Sequence, residues 1–136
     1  MTFDFAPIVF ASGIPVGGNA HLTLREDGSV TFTGHFHDSG ADEFNTQLVW
    51  AVKDAQGRVY TFQHSGHVAG TFEPGSRNDD WTVDTRSDAI AAHWADIAAD
   101  PIQRAEAHVD ADLLNVTNSV VGAVGLALAV IAIIAA

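Results

Sequence analysis

The 136-residue chain contains no cysteine, which excludes a disulfide scaffold, a thiolate metal site and a cysteine nucleophile. Basic side chains are scarce, six Lys and Arg against 17 Asp and Glu, for a formal net charge of −11, and Lys53 is the one lysine. With no basic cluster to offset that charge, phosphate backbones are repelled, and no nucleic-acid partner is expected. Residues 1–18 carry no Lys or Arg and so lack the basic start of a secretory signal. On that ground the charged part of the chain is expected in the cytoplasm. The sequence has no Gly-x-Ser-x-Gly elbow, no glycine-rich phosphate loop and no dinucleotide fingerprint. No cofactor is implied, and the chain reads as a non-enzyme.

Charge is also missing from one end. No charged side chain lies beyond Asp112, so a mean hydropathy of +0.13 averages two dissimilar segments. The expected organisation is an acidic antiparallel β domain over residues 1–112, followed by an apolar helix over 113–136.

Within the first segment the hydrophobic period is 2. Val30, Phe32, Gly34 and Phe36 alternate with Thr31, Thr33, His35 and His37, as in a strand with one buried face. Asp27-Gly28 before this run is a strong hairpin signal. A second hairpin is expected from strands near 46–53 and 58–64, joined by Asp54-Ala55-Gln56-Gly57. Pro7 marks the first strand, 3–10, as an edge. Glu73 to Asp80 reads as a polar loop, and a short strand is expected at 81–84. Ser87-Asp88 opens an amphipathic helix over about 87–99, with Ile90, Trp94 and Ile97 on one face. Asp100-Pro101 stops it, and period 2 resumes over 102–112. The whole is mainly β, an antiparallel sandwich-like domain with one amphipathic helix and a C-terminal apolar helix.

That last helix needs a destination. Val116 to Ala136 would be about 31 Å long, close to the ~30 Å hydrocarbon thickness of a bilayer. Asn118, Gly122, Gly125, Ala129, Ala132 and Ala136 recur at a spacing of three and four, a small-residue seam for close helix association. Two functions follow as expectations. One is a membrane-associating or membrane-inserting protein that self-associates through this seam, with a transmembrane helix and a lipid bilayer as partner. The other is a soluble homo-oligomeric scaffold whose helices pack as a buried bundle, with room for a lipophilic channel.

Two side-chain groups have ligand chemistry. His35 and His37 lie at i, i+2 on one strand face, a spacing that lets two imidazoles share a metal ion. His64 and His67 offer a second pair, but His64 belongs to the face of Phe62, while His35 and His37 face away from Phe36, so without a twist or bulge the four are not expected to converge. The acidic stretches Asp38 to Glu43 and Asn78-Asp79-Asp80 offer oxygen ligands but match no defined calcium loop.

Overall fold

Alternation of large apolar and polar residues builds two four-stranded sheets from this chain. The structure is a computed structural model that describes residues 1–127 and 129–136, with the side chains of all of these except 131–133. The protein is mainly β, with a few short helices. The first sheet has the order β1 (Thr2–Val9), β2 (Val16–Leu24), β3 (Ser29–Asp38), β6 (Asn78–Arg86), all antiparallel. The second has the order β7 (Ile102–Val109), β4 (Phe44–Lys53), β5 (Arg58–Val68), β8 (Ala129–Ala135). Its first three strands are antiparallel, and β8 runs parallel to β5.

The inward faces of both sheets meet in one core. Leu22, Leu24, Phe32 and Phe36 of the first sheet join Leu48, Trp50, Tyr60 and Phe62 of the second. The Phe32 and Phe62 rings meet at 6.3 Å, and Phe5 sits edge-on to Trp50 at 6.4 Å. Gly34 belongs to this inward set because Trp81 needs the space: a Cβ there would lie 2.0 Å from the indole. The expected hairpins pair as read, His37 opposite Gly17 and Lys53 opposite Val59. β2 begins earlier than its apolar alternation suggests, because Gly17, Gly18 and Asn19 pair across to β3. β6 is longer than the expected 81–84, and its first residues, Asn78-Asp79-Asp80, fall inside the stretch that reads as a loop.

The helices depart from expectation. The single helix near 87–99 is two, α1 (Asp88–Ala92) and α2 (Trp94–Ala99), broken at His93. Ser87 does cap α1, accepting from the Ile90 amide at 3.3 Å. α2 is docked separately on the β4–β5 turn, where the Ala55 amide donates to the Asp96 carbonyl and Arg58 holds the Asp96 carboxylate. Ile90 and Ile97 are both buried, so each short helix seats its own anchor.

The C-terminal segment is not one helix. Residues Leu113–Ala123 form α3, capped by Asp112, whose carboxylate accepts from the Leu114 amide at 2.9 Å. Gly125 then takes a φ of 100°. A left-handed residue directly after a helix reverses the chain direction, and glycine adopts it without a Cβ clash. Beyond it the β-branched run enters β8, as its side chains favour. Among the described residues no helix is long and apolar enough to cross a membrane, which corrects the expected transmembrane helix. With 11 residues, α3 does not supply the long apolar helix that the expected helix bundle required. Its Val116, Val120 and Val124 instead pack on Val49, Ala51 and Val59, the outward face of β4 and β5. These two strands are therefore covered on both faces, which explains their near-continuous burial.

Candidate functional site

Three places in the fold carry chemistry or recognition surface. The first is the outer face of the β1–β2–β3–β6 sheet. Register puts His35 beside Asp80 and His37 beside Asn78. The His35 ring meets Asp80 through Nδ1 at 2.5 Å, and the His37 ring meets Asn78 Oδ1 through Nδ1 at 2.8 Å. Carboxylate and amide oxygens only accept, so both Nδ1 atoms carry the proton. A third imidazole on this face, His21, meets Asp4 at 2.6 Å. His35 and His37 border a groove of about 490 Å³, together with Ile14, Pro15, Gly17 and Ser39. The sequence brings these two histidines together as expected. Their partners on β6 were not legible, because that strand hides in a polar stretch. Among the described residues no group of three or more His, Cys, Asp or Glu is arranged to hold a metal ion.

The second place is inside the core. His64 faces inward with Phe62 and lies flat on Trp81, ring centroids 3.9 Å apart and planes 10° apart. Its Nε2 donates to Asp79 at 2.8 Å, and the Thr46 hydroxyl donates to the same carboxylate oxygen at 2.6 Å. Burial pushes the Asp79 carboxyl up, but the hydrogen bonds from His64 and Thr46 outweigh it and hold it below the ordinary carboxylate value. His64 Nδ1 is buried and has no hydrogen-bond partner among the described residues. Nε2 is thus occupied by Asp79, and Nδ1 is withdrawn from solvent. Asp38 and Asp79, read above as possible calcium ligands, are drawn into this interior: Asp38 is fully buried, and Asp79 is taken up by His64 and Thr46.

The third place is the C-terminal segment. Asn118 and Gly122 lie in α3, Gly125 follows it, Ala129 and Ala132 are in β8, and Ala136 comes just after. The six residues of the expected seam are thus split between a helix and a strand. Helical spacing does not relate the two groups. β8 is the last strand of its sheet. Its inner side bonds to β5, with the Ala136 amide donating to Gln63 at 2.8 Å. By the strand's alternation, the amide and carbonyl of Ala135 point the other way. α1 touches β8, yet no strand pairs its outer side among the described residues. Val130 is half-exposed, and Leu126, just before the strand, is 96% exposed.

The four sheet edges differ in how they are guarded. β1 has Pro7 and a register shift between Phe5 and Ile8. β6 carries Asp79, Asp80, Asp84 and Arg86, and β7 carries Arg104, Glu106 and His108. Proline, bulges and charge are the devices by which edges avoid pairing with other chains. β8, Ala-Val-Ile-Ala-Ile-Ile-Ala, carries no proline and no charged side chain, and its pairing with β5 shifts register between Val59 and Tyr60. Comparison of the chain with protein-family models, curated proteins and solved structures finds no match.

Proposed function

We propose that the chain is a non-enzymatic β-sandwich module that self-associates through the free edge of β8. The observation that carries this reading is the contrast among the four edges: three carry proline or charged side chains, and β8 carries neither. Two copies related by a two-fold axis would set β8 against β8 antiparallel and join their second sheets into one continuous sheet. The contact would also cover Val130 and Leu126, two of the most exposed apolar side chains in the segment. In this reading homo-oligomerisation is kept from the sequence, but the contact is strand to strand.

Sedimentation velocity over a range of concentrations tests the proposal. The intact protein is expected to form dimers or larger species, and Val130→Lys, which places a guard charge on the edge, is expected to sediment as a folded monomer. An intact protein that stays monomeric up to its solubility limit overturns it. Flotation with neutral and anionic vesicles separates the competing destination: a protein that floats, and whose Val130→Lys variant does not, uses the strand on lipid instead.

A further inference from the structure

We propose that His35 and His37 form a two-imidazole chelate for a divalent transition-metal ion of the copper or nickel type, on the outer face of the first sheet. Strand geometry puts the two side chains on one face, about 7 Å apart along β3. What distinguishes them from two solvated histidines is the second nitrogen of each ring. Nδ1 of His35 is committed to Asp80 at 2.5 Å and Nδ1 of His37 to Asn78 at 2.8 Å. In a neutral ring that donates through Nδ1, the lone pair is on Nε2. An imidazole that donates its other N–H to a carboxylate or carbonyl oxygen is oriented and made more basic, as metal-binding histidines are. No hydrogen bond occupies Nε2 of either ring among the described residues.

The surroundings leave room for the ion. His37 lies opposite Gly17, which puts no side chain on the shared face, and both rings border the groove of about 490 Å³. Imidazole nitrogen suits copper, nickel and zinc, and affinity rises to copper along the divalent series. The net charge of −11 favours cations in general. Two protein nitrogens leave the remaining positions to water or to a ligand entering the groove.

The test titrates the intact protein with Cu²⁺ and follows nitrogen hyperfine coupling by electron paramagnetic resonance. One ion per chain with two imidazole nitrogens is expected. His35→Ala and His37→Ala should each remove that two-nitrogen signal, and Asp80→Ala, which touches only the orienting partner, should weaken binding about tenfold. Gly17 has an ordinary backbone φ, and a Cβ there meets only the Ile8 carbonyl at 3.5 Å. Gly17→His should accordingly fold and convert the signal to three nitrogens. A Cu²⁺ signal unchanged in both alanine variants, or a Gly17→His protein that still shows two nitrogens or fewer, overturns the proposal.

Discussion

At the scale of single residues, the His64–Asp79–Thr46 cluster is organised by what glycine leaves out. A Cβ on Gly66 would stand 2.2 Å from Asp79 Oδ2, the oxygen that accepts from both His64 and Thr46. Gly66→Ala is thus expected to push the carboxylate off both donors and to lower stability by about 2 kcal/mol in urea denaturation. A change within a few tenths would show that the cluster adjusts freely. His64 was legible as inward-facing, because it falls two residues from Phe62. Asp79 was not, since Asn78-Asp79-Asp80 has the composition of a turn and only pairing with Phe36 and its neighbours makes it a strand. The same blind spot hid the orienting partners of His35 and His37.

At the scale of elements, the strands followed their period and the helices did not. Alternation alone located β3, because one face is buried and a shift of one residue would expose Phe32 and Phe36. The C-terminal segment misleads because its alanines and glycines satisfy a helical seam as readily as a strand. The deciding residue is Gly125, which belongs to a helix stop rather than a seam. Gly122, by contrast, is exposed in α3, and a Cβ there meets nothing within 4 Å. The two glycines should then respond oppositely to alanine. Gly122→Ala is expected to stabilise by about 0.5–1 kcal/mol through helix propensity. Gly125→Ala, forced to a φ of 100°, is expected to destabilise by about 1 kcal/mol. Thermal unfolding of both variants checks this. Loss of stability in Gly122→Ala would restore the close-packed seam.

At the scale of the whole molecule, acid sensitivity and assembly follow from the placement of charge. Asp54 is buried in the β4–β5 turn, which would raise its pKa. Hydrogen bonds from the Tyr60 hydroxyl, from Arg58 and from the Gln56 amide more than offset that, and its carboxyl is held below the ordinary value of 3.8. Asp79 is lowered likewise. A carboxylate whose folded pKa is depressed contributes stability that is fully present above the unfolded value and is lost as pH falls through the folded one. Stability from these two groups is therefore expected to hold from neutral pH down to the ordinary carboxylate range and to decline below it. Denaturation midpoints measured between pH 7 and pH 2 should show this, with a shallower acid decline in Asp54→Asn. A midpoint that falls steeply between pH 7 and pH 5 would mean that other groups govern.

Charge also decides where the molecule can meet another. Its absence beyond Asp112 was plain in the sequence, and so was the need to cover the apolar segment. The means of covering it depended on a chain reversal at Gly125 and on long-range pairing with β5, neither of which periodicity reports. α3 covers the outer face of one sheet, and β8 extends that sheet to an apolar edge without charge.

Amide hydrogen exchange along β8, measured as a function of protein concentration, tests that edge most directly. The Ala135 amide faces away from β5 and is expected to exchange freely in dilute solution and to gain protection as the protein associates. The Ala136 amide, bonded to Gln63, should change far less. Exchange at Ala135 that stays fast at concentrations where the protein is oligomeric would contradict assembly through this strand.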